Sequence, residues 1–139
     1  MSRKVNKIVK LITGLLIMVP LLCQLFTFEK FSAVLTSAGV PSSLSLSIAI
    51  ILVVAELTSL PFLIDMDISK KAILVSRVSG FLSLAVMAVI SFLAFANGHA
   101  AVIFGATIKN VNNVAAIFLV FMMWALLICA NLSTKKTAK

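Results

Sequence analysis

The sequence predicts an all-α fold: an integral membrane four-helix bundle with antiparallel helices. Three observations predict it. Of the 139 residues, 62% are hydrophobic and 12% charged, with a mean hydropathy of +1.20, whereas a soluble domain is about half apolar and about one-quarter charged. The apolar residues fall into four runs, Val9–Phe28, Leu44–Ile64, Ala72–Phe95 and Val114–Leu132, each roughly 20 residues and so about 30 Å as helix, the thickness of a hydrocarbon core. The charges cluster between and beyond these runs, with Glu56 and Arg77 well inside. The connections are short, so residues 1–139 read as a single transmembrane domain.

The first run follows Arg3, Lys4, Lys7 and Lys10, which imitates a secretory signal. It is too long for a signal core, and no small-x-small cleavage site follows it. Leu22 in "PLLC" spoils a lipoprotein box. The run is therefore expected to stay in the mature protein.

After it comes "FEKFSAVLTSAGVP", where Phe28, Phe31, Leu35 and Ala38 fall at helical spacing and Gly39 with Pro41 supplies a stop. This predicts a short amphipathic helix on the outer surface, with a continuation of the first helix as the alternative. The second run holds Glu56 and Pro61. A connector with Asp65 and Asp67 follows, and this D-x-D is expected to cap the next helix rather than bind metal. Ser45, Ala49, Glu56, Ser59 and Leu63 form one stripe on the second run, and Ser76, Gly80, Ser83, Met87 and Ser91 form another on the third. Small residues in a stripe let helices approach closely in lipid. Asn97-Gly98 marks a turn beside the lone His99, and Asn112-Asn113 suits the start of the fourth run. The sequon Asn131-Leu-Ser133 falls on the cytoplasmic side and is discounted.

A formal net charge of +8 suggests nucleic acid until the charges are placed. Arg3, Lys4, Lys7, Lys10, Lys70, Lys71, Lys135, Lys136 and Lys139 lie at one end, against Lys30 and Lys109 at the other. This is the positive-inside pattern. It predicts a multi-pass protein of the cytoplasmic membrane with both termini in the cytoplasm and membrane lipids as partners. No nucleic acid is required.

The candidate chemistry centres on "ILVVAELTSLPFLI", Ile51–Ile64. A carboxylate at this depth costs several kcal/mol unless compensated. Glu56 lies about 12 Å above the inner end of its helix and Arg77 about 8 Å above the start of the next. An ion pair is therefore within reach. Pro61 and Pro20 leave carbonyls without donors near the same level, and Trp124 brings an unpaired indole N–H. Glu56, Arg77 and Trp124 thus form a predicted intramembrane polar cluster. Three readings stay open: a layer that pins helix register, a proton, quinone or ligand site, or an Arg77 that snorkels away. Cys23 and Cys129 lie at different depths, so no internal disulfide is expected. Cys23 alone could form a mixed disulfide with a partner. No metal site is expected.

The chain resembles the DoxX/MauE family of small bacterial membrane proteins. The carriers are "FEKFSAVLTSAGVP", "VVAELTSLPFLI" with Glu56, and "SKKAILVSR", covering roughly Leu15 to Phe95. The resemblance implies a four-helix bundle associated with quinone-linked or thiol-linked redox systems, with Glu56 as the position carried over. The sequence departs from thiol chemistry in having no paired cysteines. The expectation is a non-catalytic membrane subunit or anchor with an oxidoreductase partner, and with quinone as the possible cofactor. The alternatives are a small homo-oligomeric transporter or proton-coupled channel using Glu56, and a structural membrane protein without chemistry.

Overall fold

A computed structural model describes residues 3–99, 102–108 and 112–136. Lys109 and Lys139, and the side chains of Arg3, Lys4, Ser133, Lys135 and Lys136, lie outside the described residues. The described chain forms five helices: α1 (Arg3–Phe26), α2 (Phe28–Ser37), α3 (Ser42–Leu63), α4 (Lys70–Ala96) and α5 (Asn113–Lys136). Four of them, all but α2, are long and apolar enough to cross a membrane. Their bounds fall within a few residues of the four predicted runs.

The helix ends follow local chemistry. α1 passes through Pro20 and breaks at Thr27, whose hydroxyl donates back to the Cys23 carbonyl at 2.9 Å. The break makes α2 a separate helix and not a continuation of α1. α2 is amphipathic: Glu29, Lys30, Thr36 and Ser37 are exposed, while protein covers its apolar face. Phe31, Leu35 and the following Ala38 are fully buried, and α2 packs on α3. Gly39, at φ +102°, reverses the chain in a conformation that L side chains rarely adopt, and Pro41 then leads into α3.

α3 ends with Asp65 in the left-handed region at φ 60°, while the Met66 N–H reaches back to the Pro61 carbonyl at 3.1 Å. This is the six-to-one closure of a Schellman end. The D-x-D does not cap α4. Ser69 does so, its hydroxyl accepting from the Ala72 N–H at 3.3 Å. Asp65 instead receives the Lys10 ammonium at 2.6 Å, with Lys7 at 3.9 Å. Asn112 starts α5 by accepting from the Val114 N–H at 2.9 Å.

α3 packs against α1, α2 and α4, and α5 packs against α1 and α4. Small residues set the approach. A Cβ on Gly80 would sit 3.4 Å from the Ser59 Cβ and 3.5 Å from Leu127, so α4 meets α3 and α5 at that point. The outward faces keep large apolar side chains, with Phe92, Phe118 and Phe121 each about two-thirds exposed. That is far more contiguous apolar surface than a soluble monomer carries.

Candidate functional site

Glu56 is fully buried in the middle of α3, and neither of its carboxyl oxygens has a hydrogen-bond partner. The predicted ion pair with Arg77 is not formed. The Arg77 guanidinium lies over the Phe62 ring, 5.0 Å from its centroid, and its Nε has no partner. The Lys10 ammonium lies 4.9 Å from the same centroid. Arg77 therefore does not meet Glu56. Its long side chain turns toward the end of the bundle where Lys10 meets Asp65, and an aromatic face attracts a cation there.

Trp124 belongs to a different contact. Its ring meets Phe81 of α4 edge-on, with centroids 5.9 Å apart, and its indole N–H is buried without a partner. No hydrogen bond joins it to Glu56.

Beside Pro61, Ser76 of α4 bonds to the backbone of α3. The Ser76 hydroxyl accepts from the Phe62 N–H and donates to the Ser59 carbonyl, each at 3.0 Å, both bonds buried. A serine on α4 thus bonds two backbone groups of α3, one on each side of Pro61.

The polar group that does face the Glu56 carboxyl is the side-chain amide of Gln24, on α1. Gln24 is itself fully buried. Its Nε2 donates to the Ile103 carbonyl at 2.9 Å, and its Oε1 has no partner. Sequence reasoning missed Gln24. The available signal was a lone amide inside an otherwise apolar span.

Ile103 belongs to Val102–Ile108, part of the connection between α4 and α5, and this segment folds onto the end of α1. Val102, Ile103 and Gly105 are buried. The Ala106 N–H donates to the Thr27 hydroxyl at 3.1 Å, and the Thr107 hydroxyl donates to the Cys23 carbonyl at 3.0 Å. Gly105 is needed at the contact. Its φ is +59°, and a Cβ there would lie 2.7 Å from the Thr27 Oγ1. From α4, the Asn97 amide donates to the Ala38 carbonyl at 3.3 Å, tying in the turn after α2.

Cys23 and Cys129 form no disulfide with each other, and Cys23 is half-buried beside this segment. Among the described residues, no three His, Cys, Asp or Glu side chains gather as a metal site. A groove of about 330 Å³ opens between α4 and α5, lined by apolar side chains including Phe92, Ile117 and Phe121, with Ser91 at its wall.

The chain is thus an all-helical protein with four candidate membrane spans and a carboxyl sealed at its centre. Compared with known protein families, with curated proteins and with solved structures, it matches none.

Proposed function

We propose that the chain is a multi-pass protein of the cytoplasmic membrane, with antiparallel spans and both termini in the cytoplasm, and that Glu56 is its proton-binding group. The orientation rests on Lys7, Lys10, Lys70 and Lys71 gathering at one end of the spans. Phosphatase fusions after Gly39 and Gly98 are expected to be active and a fusion after Asp67 silent. The reverse pattern would invert the map.

One observation carries the proton reading: the Glu56 carboxyl is fully buried at the centre of the bundle, and neither of its oxygens has a hydrogen-bond partner. The orientation of the Gln24 amide is fixed from the far side. The Ile103 carbonyl can only accept, so the NH₂ group must point to it, which leaves the oxygen on the other branch. Gln24, a neutral amide, brings no charge to offset an ionised Glu56. A proton on Glu56 gives the carboxyl an O–H donor and removes a charge that is expensive at membrane depth. A carboxyl that is neutral when loaded and charged when empty suits a small proton-coupled transporter or channel, built as a homo-oligomer because four helices enclose little space.

The test is infrared spectroscopy of the protein in lipid. Near neutral pH, where exposed carboxyls are ionised, a protonated-acid carbonyl band is expected in the native chain and not in Glu56→Gln. The absence of that band from the native protein defeats the reading.

The groove between α4 and α5 supports a second reading, the membrane subunit of a redox complex. It is open, apolar and large enough for a quinone ring with part of its tail. Purification in mild detergent, with identification of bound proteins and quinones, tests this. Recovery of the chain alone counts against it.

A further inference from the structure

We propose that Arg77 holds the phosphate of an anionic membrane lipid at the lysine-rich end of the bundle. The proposal rests on the reading of the four long helices as membrane spans. It does not depend on Glu56 binding a proton, or on which side of the membrane that end faces.

A guanidinium keeps its charge at any accessible pH, so inside a span it needs an anion. Arg77 stands two turns into α4, about 10 Å from Lys70. The chain has four acidic side chains, Glu29, Glu56, Asp65 and Asp67, and none of them serves it. Glu29 lies on α2, at the other end of α1 from Lys7 and Lys10. Glu56 is sealed deeper in α3, and its oxygens have no partner. Asp65 takes the Lys10 ammonium at 2.6 Å, with Lys7 at 3.9 Å. Asp67 is exposed in the connection to α4, and Arg77 forms no ion pair with it.

What Arg77 does meet is the Phe62 ring at 5.0 Å, which it shares with Lys10 at 4.9 Å. A ring face attracts a cation but brings no charge to cancel it. The Arg77 Nε is buried without a partner, while the residue as a whole is half-buried and open to a group from outside.

The surroundings fit a lipid phosphate. Lys7, Lys10 and Arg77 bring three cations against the one carboxylate of Asp65, and Lys70 and Lys71 stand exposed at the same end. Basic sites between spans hold phosphorylated headgroups in this way. The guanidinium fork matches two phosphate oxygens, which an ammonium cannot do. Beside it, Leu74, Val78 and Leu82 form an exposed apolar stripe along α4. A lipid with its phosphate on Arg77 lays its chains on that stripe, whereas a free phosphate leaves the stripe bare.

Native mass spectrometry of the full chain in mild detergent tests the site, with phosphatidylglycerol and with diacylglycerol of the same chains as probes. The unmutated chain should retain phosphatidylglycerol where it retains no diacylglycerol. Arg77→Gln should weaken that binding about tenfold or more, the worth of a charge-assisted hydrogen bond. Lys71→Gln should weaken it by no more than about fivefold, the worth of one lysine near an anionic surface. Arg77→Lys, which keeps the charge and loses the fork, should fall between the two. The melting temperature of the unmutated chain gives a reading that needs no variant: it should rise with phosphatidylglycerol and stay level with diacylglycerol.

Unchanged binding in Arg77→Gln, or equal losses in Arg77→Gln and Lys71→Gln, overturns the site. So does equal stabilisation by the two lipids. Displacement of the lipid by millimolar inorganic phosphate overturns the lipid as occupant. A lipid-free dimer that requires Arg77 does the same, because the anion is then a carboxylate of the second copy. Release of the chain from membranes by alkaline carbonate would defeat the spans and the site together, whereas loss of lipid binding from a chain that stays in the membrane defeats the site alone.

Discussion

Glu56→Lys is expected to prevent the chain from accumulating in folded form, whereas Glu56→Gln should accumulate normally and melt at or above the native temperature. The contrast follows from what surrounds the side chain. Glu56 is fully buried, and Gln24 places beside it a neutral amide whose oxygen has no partner. Glutamine keeps the size, can donate to that oxygen, and brings no charge. Lysine brings an ammonium with three donors and one acceptor to meet, at a depth where a charge costs about 2.5–3.5 kcal/mol on insertion scales. That loss is a large share of a typical stability of about 5–15 kcal/mol. Membrane yield and thermal unfolding in detergent would show it. A Glu56→Lys protein that melts within a few degrees of the native chain would mean that water reaches position 56, and that Glu56 needs no proton to be tolerated.

The four long helices are legible in the sequence because length and hydropathy alone define a span, and neither depends on what the span touches. α2 is legible for a related reason: the spacing of Phe28, Phe31, Leu35 and Ala38, with Gly39 and Pro41 behind it, is a local pattern. What covers that face is not local: it is α3. The Glu56–Arg77 pairing fails for a similar reason. Counting residues along two helices fixes height but not the direction a long side chain takes. Arg77 has Phe62 closer to the charged end, with Lys10 and Asp65 beyond it. The sequence neighbourhood of Asp65 suits a cap, but the Lys10 ammonium comes to it from 55 residues away. Gln24 and Ile103 are 79 residues apart, and nothing in either neighbourhood announces the other.

The double role of Ser76 yields the second large effect. Ser76→Val keeps the volume and removes the hydroxyl, so the Phe62 N–H loses its acceptor and the Ser59 carbonyl loses its extra donor, both in a buried layer. An orphaned buried donor costs about 1–3 kcal/mol, and no water is at hand in an apolar span to reduce that. Ser76→Val is therefore expected to lower the unfolding free energy by about 2–3 kcal/mol, seen as a clear fall in melting temperature in detergent. Pro61 lies between the two backbone groups that Ser76 bonds; it has no N–H to give the Leu57 carbonyl, and its ring crowds that carbonyl. Pro61→Ala lets the helix close, so the Phe62 N–H can turn to the Thr58 carbonyl. In that background the loss from Ser76→Val should shrink by about 1–2 kcal/mol, a coupling typical of residues sharing one hydrogen-bond network. Equal losses with and without Pro61 would show that the serine acts through packing alone. A smaller loss in the Pro61→Ala background would make the proline on α3 and the serine on α4 two halves of one joint, set one helical turn from the carboxyl of Glu56.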